Sequence, residues 1–340
     1  MITRYDKYDL SRRNTFGMKV SCRLYVEVTE PEDLLALDFD ALPQPVFVMG
    51  GGSNLLFTGD YQGTVMHLGN DSCHAERSEE SVLVTLGSGV VFDDFCAWAA
   101  AEGLWGPENL SLIPGEVGAS AVQNIGAYGV EAKDIIDTVH AFDLRERRFV
   151  DIPGADCGYG YRTSNFKTTW KGRYIITAVT FRLSLVPNPI LDYGGVRKAL
   201  ENRGLIPQII RETIIGIREK KLPDPAKIGS AGSFFCNPVI EKDHFARIVA
   251  LAKAENGPDY EVPHYEAGEK VKVPAAWMID QCGFKGMRLG GAQVYPNQPL
   301  VIVNATGDAT PQDIIALERR VIDTIQDKYG ITLHPEVEHV

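Results

Sequence analysis

Residues 114–129 read Pro-Gly-Glu-Val-Gly-Ala-Ser-Ala-Val-Gln-Asn-Ile-Gly-Ala-Tyr-Gly, without a single Lys or Arg. Glycine has no Cβ and adopts positive φ easily, so such a segment lets the backbone approach a ligand closely. Ser120, Gln123 and Asn124 add neutral hydrogen-bonding side chains. The pattern is typical of a segment that cradles a large, flat ligand with polar edges.

A second glycine-rich segment lies upstream, at residues 50–54. The apolar run Val46–Met49 predicts a buried strand that leads directly into Gly-Gly-Gly-Ser-Asn. Consecutive backbone N–H groups in such a turn form an anion-binding nest, which suits a pyrophosphate. The dinucleotide fingerprint would need glycine where Leu55 stands, and the P-loop signature is absent. An ordinary tight turn explains this segment taken alone, but the pairing with residues 114–129 favours a dinucleotide site.

Composition sets the broad class. A chain of 340 residues with 44% hydrophobic residues predicts two or three globular domains. Its formal charge of −11 argues against a nucleic-acid or anionic-membrane partner, so an anionic ligand must be bound by local Arg, Lys and N–H groups. The polar N-terminus and the lack of a long apolar run predict neither signal peptide nor membrane span, and hence a cytoplasmic location. The scattered cysteines and histidines predict no metal site.

Local signals place the first elements. Thr29 and Pro31 predict a short helix over residues 29–37, begun by a capping box. Strands are predicted at residues 82–86 and 174–179, and a helix at 92–102 that Gly103 closes.

The last part of the chain carries equally clear signals. Pro223 and Pro225 cannot continue a helix, which predicts a domain boundary near Leu222. A helix is predicted to begin at Thr310, with Pro311 in its first turn, and to run to residue 330. Residues 331–333 then read as a strand.

Seven short motifs follow one another along nearly the whole chain. They are Gly-Gly-Gly-Ser-Asn-Leu-Leu at 50–56, Ile-Pro-Gly at 113–115, Gln-Asn-Ile-Gly-Ala-Tyr-Gly at 123–129, Gly-Tyr-Arg at 160–162, Lys-Leu-Pro-Asp-Pro at 221–225, Gly-Ser-Phe-Phe-Cys-Asn-Pro at 232–238 and Pro-Glu-Val at 335–337. In this order they resemble the UDP-N-acetylenolpyruvoylglucosamine reductase family, the FAD enzymes of peptidoglycan precursor synthesis.

The resemblance implies an α+β fold. Two subdomains, at residues 1–66 and 67–221, would hold FAD in the PCMH or vanillyl-alcohol-oxidase type of fold. An α/β substrate-binding domain would occupy residues 222–330. A C-terminal strand within residues 331–340 would complete the first subdomain.

The resemblance also implies the reaction and its catalytic residues. The family reduces UDP-N-acetylglucosamine enolpyruvate to UDP-N-acetylmuramate, with non-covalent FAD as cofactor and NADPH as co-substrate. Hydride goes to the vinyl carbon, and Ser233 would donate the proton to the ether carbon. Arg162 would contact the substrate carboxylate, and Glu336 would help to polarise the enolate. Taken alone, Ser233 suits a turn or a cap, and the other two suit solvated surface positions.

The binding residues follow by resemblance too. Tyr193, Lys221 and Asn237 would bind the nucleotide sugar, and Lys221 would also stabilise the alkoxide left on Ser233. Tyr193 is the loosest match, because Gly195 stands where an acidic residue is expected. The cofactor would be bound by residues of the glycine-rich segments and one strand: Gly50, Gly51, Gly52, Ser53, Asn54, Leu55, Pro114, Gly115, Gly118, Ser120, Gln123, Asn124, Gly126, Ala127 and Ile176.

Two other functions stay open. One is an FAD-dependent alcohol or sugar oxidase of the same fold; residues 114–129 contain no His for a covalent flavin link, which disfavours its histidyl form. The other is a non-catalytic nucleotide-sugar binding protein, which would have no need of a proton donor such as Ser233. The expected partner is a small-molecule nucleotide-sugar substrate, with no nucleic acid or membrane, and a monomer is expected.

Overall fold

The computed structural model describes residues 1–201 and 203–340. Its strands, in chain order, are β1 (Ile2–Asp9), β2 (Ser21–Val28), β3 (Val46–Met49), β4 (Leu55–Leu56), β5 (Tyr61–Leu68), β6 (Cys73–Arg77), β7 (Ser81–Gly87), β8 (Gly126–Ala127), β9 (Val130–Glu131), β10 (Ile136–Asp143), β11 (Arg148–Pro153), β12 (Tyr174–Ser184), β13 (Gly229–Ser233), β14 (Val239–Glu241), β15 (Tyr265–Ala267), β16 (Lys270–Lys272), β17 (Arg288–Leu289), β18 (Ala292–Val294), β19 (Val301–Asn304) and β20 (Glu338–His339).

The α-helices are α1 (Phe92–Ala101), α2 (Val117–Gln123), α3 (Val196–Leu200), α4 (Pro207–Lys221), α5 (Lys242–Asn256), α6 (Ala275–Gln281) and α7 (Pro311–Tyr329). Short 3-10 helices occur at Pro31–Leu35, Glu108–Leu110, Ala132–Asp134, Gly154–Cys157 and Asn165–Lys167. Within the described ranges, none of the helices combines the length and the apolar character needed to cross a bilayer.

Contacts divide the chain into two compact units. The N-terminal unit comprises Met1–Arg13, Val20–Ser53 and Asp60–Lys220. The C-terminal unit comprises Asn14–Lys19, Asn54–Gly59 and Lys221–Val340, so two short upstream segments belong to it. The predicted subdivision at residues 66/67 and 221/222 stays a prediction.

The first sheet of the N-terminal unit has the order β1-β2-β5-β3, in which β5 runs parallel to both neighbours. The predicted strand at Val46–Met49 is present, but it lies at the sheet edge and Val48 is 36% exposed, so it is not a buried strand. The predicted helix at 29–37 is only the 3-10 helix Pro31–Leu35, and Thr29 does not cap it. The amide of Ala36 closes this helix by donating to the Asp33 carbonyl oxygen three residues earlier, which is 3-10 hydrogen bonding.

The second sheet of this unit is antiparallel, with the order β11-β10-β12-β7-β6. Helices α1 and α2 bury apolar side chains against β7 and β12, where the rings of Phe95 and Phe181 stack at 4.7 Å. The predicted strands at 82–86 and 174–179 are confirmed within β7 and β12. The predicted helix at 92–102 is confirmed as α1, and Gly103 follows it with a φ of +70°.

The C-terminal unit contains a four-stranded sheet of order β13-β19-β18-β17 and a three-stranded sheet of order β14-β16-β15. Helix α7 begins as predicted, because the Thr310 hydroxyl accepts from the Asp313 amide and the Asp313 carboxylate accepts from the Thr310 amide. It ends at Gly330, whose φ of +66° suits glycine.

The predicted strand at residues 331–333 is wrong. Ile331 and Leu333 are buried and Thr332 is exposed, as in a strand, but among the described residues this stretch joins no ladder. The alternation of apolar and polar residues at 331–333 indicates only that one face of the segment is buried. A strand also needs a neighbouring backbone with which to form hydrogen bonds. The C-terminal strand is β20, which pairs in parallel with β4.

Candidate active site

The two glycine-rich segments meet within the N-terminal unit. After β3 the chain turns through residues 50–52, and the Ser53 hydroxyl donates to the Pro114 carbonyl oxygen at 3.0 Å. A Cβ added to Gly51 would lie 3.6 Å from the Cα of Gly115. The backbones of the two segments are therefore in direct contact, and they form one glycine cradle.

Two glycines of this cradle, Gly52 and Gly118, are sterically required. Gly52 has a φ of +65°, and a Cβ there would lie 2.0 Å from the Arg13 carbonyl oxygen. At Gly118 a Cβ would lie 2.8 Å from the Ser88 Cβ. The Ser88 hydroxyl is buried and has no hydrogen-bond partner within residues 1–201 and 203–340. A close backbone cradle and an unsatisfied buried donor fit a dinucleotide with many acceptor atoms.

Two polar side chains of the second segment, those of Asn124 and Ser120, already make hydrogen bonds within the protein. The Asn124 amide nitrogen donates to the Gly160 carbonyl at 2.8 Å, and its oxygen accepts from the Lys133 amide at 3.0 Å. The Ser120 hydroxyl donates to the Val117 carbonyl oxygen at 2.6 Å. The predicted cofactor-binding roles of Ser120 and Asn124 stay predictions.

The remaining predicted cofactor residues lie at the end of α2, on β8 and β12, and at the start of β4. Gln123 accepts from Lys167 at 3.2 Å. Gly126 and Ala127 form β8, while Ile176 is a buried residue of β12. Asn54 and Leu55 belong to the C-terminal unit.

Arg162 is held in an unusual backbone conformation. Its φ is +56°, a region that non-glycine residues rarely adopt. Its Nη2 donates to the Gly126 carbonyl oxygen at 2.6 Å, and its guanidinium lies 5.4 Å from the centre of the Tyr161 ring. Such conformations persist where the surroundings impose them, and they cluster at functional sites.

Ser233 and Glu336 come together within the C-terminal unit. Ser233 ends β13, and the two residues after it are fully buried phenylalanines that anchor the strand end. The amide of Glu336 donates to the carbonyl oxygen of Phe234 at 2.8 Å. The Asn54 side chain donates to the Glu336 carbonyl oxygen at 3.0 Å. Ser233 and Glu336, 103 positions apart in the sequence, thus lie on adjoining stretches of backbone.

Comparison with known proteins decides the family. The profile of the UDP-N-acetylenolpyruvoylglucosamine reductase C-terminal domain matches residues 224–340, and that of an FAD binding domain matches residues 23–146. A UDP-N-acetylenolpyruvoylglucosamine reductase of Bacteroides fragilis (strain YCH46) is 45% identical, covering 98% of this chain and 99% of that protein. This chain belongs to the UDP-N-acetylenolpyruvoylglucosamine reductase family. A reductase of Porphyromonas gingivalis (strain ATCC BAA-308 / W83) is 44% identical, over 98% of both chains.

The fold agrees with this assignment. The crystal structure of the reductase from Thermus caldophilus superposes with a TM-score of 0.68 and 23% identity, covering 100% of this chain and 98% of that one. The predicted α+β class, with its FAD-binding fold of the vanillyl-alcohol-oxidase type and the reductase C-terminal domain, is confirmed.

The three predicted substrate residues of this reductase-family chain lie in different settings. Tyr193 is half exposed and packs against Gly129, where a Cβ would lie 2.3 Å from the Tyr193 ring. Lys221 is the exposed last residue of α4. The Asn237 side-chain oxygen accepts from the amide of Ala275, the first residue of α6, at 2.9 Å. Their roles stay predictions.

Two further residues of this family member, Arg218 and His67, were not predicted from the sequence. Arg218, on α4, has a buried Nε with no hydrogen-bond partner in the described part of the chain. Burial lowers the pKa of Arg218; Tyr128 and Asp93 act against this, and the charge of Arg162 lowers the pKa further. His67 pairs with Glu116 beside the cradle. An Arg on an amphipathic helix and a His in a strand carry no local signal that would single them out.

Proposed function

We propose that this protein catalyses the NADPH-dependent, FAD-mediated reduction of UDP-N-acetylglucosamine enolpyruvate to UDP-N-acetylmuramate. Family membership supports the reaction, and the adjoining backbones of Ser233 and Glu336 are the observation that carries it. A hydroxyl and a carboxyl held on adjoining backbone can serve proton delivery and enolate polarisation at one carbon centre.

The glycine cradle is the proposed site of the cofactor's pyrophosphate. Gly50, Gly51 and Gly52 would bind it through backbone N–H groups, and the unsatisfied Ser88 hydroxyl adds a donor. When bound, FAD supplies the hydride that the carbon–carbon double bond receives. The remaining chemistry falls to the side chains.

Three side chains carry the proposed proton and charge chemistry. The guanidinium of Arg162, fixed by the Gly126 carbonyl, would bind the substrate carboxylate in a planar fork. Hydride addition at the vinyl carbon leaves a basic enolate, and the hydroxyl of Ser233 would donate its proton to the ether carbon. Glu336 would polarise that enolate.

Three further residues are assigned to binding of the nucleotide sugar. Lys221 and Asn237 would contact the phosphates, and Lys221 would also stabilise the Ser233 alkoxide. Tyr193 would close over the substrate. The net charge of −11 makes such local cations necessary for an anionic substrate.

Purification and a turnover assay test the function. We expect a yellow protein that consumes NADPH only when the enolpyruvyl nucleotide is added, under anaerobic conditions as well as in air. NADPH loss that needs only oxygen would point to an oxidase. A colourless protein that binds UDP-N-acetylglucosamine without turnover would point to a nucleotide-sugar binding protein.

We further propose that the protein acts as a cytoplasmic monomer with no nucleic-acid or membrane partner. The net negative charge supports the absence of such partners, because nucleic acids and anionic lipids would repel an acidic protein. Light scattering coupled to gel filtration measures the mass; a dimer mass would contradict the monomer.

A further inference from the structure

His67 lies between two carboxylates in the N-terminal unit. It is 7% exposed on β5, its Nδ1 is 2.8 Å from Glu27 Oε1, and its Nε2 is 2.9 Å from Glu116 Oε2. An ionised carboxylate only accepts hydrogen bonds, so both ring nitrogens must donate, and only the imidazolium can do this. The contacts therefore define a positively charged histidine in a buried position.

Neighbouring groups stabilise the positive charge of His67. Burial opposes ionisation, but the hydrogen bonds with Glu116 and Glu27 outweigh it and raise the pKa of His67 to about 9. Glu27 also accepts from the Tyr25 hydroxyl at 2.7 Å and lies 3.8 Å from the Arg13 guanidinium. These are the charged and titratable groups that face the histidine from β2 and from the segments beside it.

Glu116 lies directly against the glycine cradle. A Cβ at Gly50 would lie 3.2 Å from Glu116 Oε2, and one at Gly51 would lie 3.4 Å from Glu116 Oε1. The same two oxygens are bonded by His67. A carboxylate so close to a pyrophosphate site would repel the ligand unless a positive charge compensates it.

We propose that His67 is a positioning residue for the cofactor: its imidazolium neutralises Glu116 and fixes it behind Gly50 and Gly51, so that the turn can hold a pyrophosphate. This inference rests on the proposed function, because it assigns the anion at this turn to FAD. It adds a residue outside the cradle on which cofactor affinity depends.

Charge neutralisation predicts a specific pattern among variants. His67→Gln leaves the carboxylate uncompensated, and we expect it to weaken FAD binding about tenfold or more. Glu116→Gln removes the repulsion together with the need for His67, so both the single variant and the His67→Gln/Glu116→Gln double variant should bind FAD within about threefold of wild type. His140→Gln is the matched control, since both ring nitrogens of His140 also make hydrogen bonds, one to the carboxylate of Asp151 and one with the hydroxyl of Thr180.

The experiment titrates apoprotein with FAD at neutral pH, following the quenching of flavin fluorescence, with circular dichroism on every variant to establish that it is folded. In wild type the affinity should also fall as the pH rises through about 9, whereas the double variant should show no such fall. His67→Gln that binds FAD like wild type, or a double variant that binds as weakly as His67→Gln, would overturn the role of His67 and leave the proposed function standing. Wild-type protein that binds no FAD would overturn both.

Discussion

The backbone amide of Glu336 donates to the carbonyl oxygen of Phe234 at 2.8 Å, which places the residue after Ser233 against the C-terminal segment. That segment is held further by Asn54, whose side chain binds the Glu336 carbonyl oxygen, and by β20, which pairs with β4. Glu336 is thereby held by hydrogen bonds at both its backbone amide and its backbone carbonyl group.

The first prediction concerns Ser233. Ser233→Ala should lower turnover of the enolpyruvyl nucleotide about 10²- to 10⁴-fold, because the proton donor is lost. Flavin binding and flavin reduction by NADPH should persist, since the anchoring phenylalanines are unchanged. Stopped-flow mixing separates the two half-reactions. Ser230→Ala makes the same chemical change in the same strand and should leave turnover unaltered; equal rates for the two variants would refute the assignment.

The second prediction concerns the contact between Gly129 and Tyr193. Gly129→Ala should displace the Tyr193 ring, because the new Cβ would lie 2.3 Å from it, and should raise the KM for the nucleotide sugar severalfold. Gly172→Ala is the matched control, since Gly172 has a φ of +75° against +86° at Gly129 and no atom within 4 Å of its added Cβ. Steady-state kinetics measure both variants. A similar KM in the two would mean that backbone strain alone, and not Tyr193, is responsible.

The third prediction concerns the ion pair that joins α1 to α4. Arg211 binds both carboxylate oxygens of Asp93, which also accepts from the Leu112 amide. Asp93→Asn should lower the free energy of unfolding by about 3 kcal/mol, because the partly buried Arg211 loses its counter-ion. Lys19→Met, which breaks an exposed pair with Asp308, should change the unfolding midpoint little. Urea denaturation measures both variants.

The same pair predicts an acid limit to stability. Burial raises the pKa of Asp93, but the hydrogen bonds from Arg211 and Leu112 outweigh it and hold the pKa below its ordinary value. Its contribution is therefore complete above the ordinary pKa of about 4 and is lost as the pH falls through the lowered one. The melting temperature of the apoprotein should therefore fall more steeply with decreasing pH in wild type than in Asp93→Asn. Parallel curves would contradict the prediction.

The fourth prediction concerns the hydrogen-bonded pair of His339 and Glu318, which joins the C-terminal strand β20 to helix α7. The hydrogen bond to Glu318, at 2.8 Å, raises the pKa of His339. This stabilisation is complete below the ordinary histidine pKa of about 6.5 and is lost as the pH rises through the raised value. His339→Gln should therefore be destabilised more, relative to wild type, at pH 6 than at pH 9. The ratio of variant to wild-type amide exchange rates in the C-terminal segment should likewise be larger at pH 6. An equal loss at both would contradict a charged His339.

Local signals were sufficient where one segment of chain determines its own structure. The glycines at 50–52 were predicted as a turn after a strand, and Thr310 was predicted to cap α7, since both features depend on neighbouring residues. The strand predicted at residues 331–333 failed because pairing needs a partner that no local pattern reveals. The exposure of the Val48 side chain likewise depends on the position of β3 at the sheet edge.

By itself the sequence determined the family, the α+β class and the two glycine-rich segments, because these depend on residue types in a fixed order. Only the tertiary structure decided that Glu336 meets the Ser233 strand end, and that His67 bonds Glu116 against the cradle. Both contacts join residues far apart in the chain. They exist because sheet pairing and burial bring those backbones together, and a charge acquires its partner only when the chain has folded.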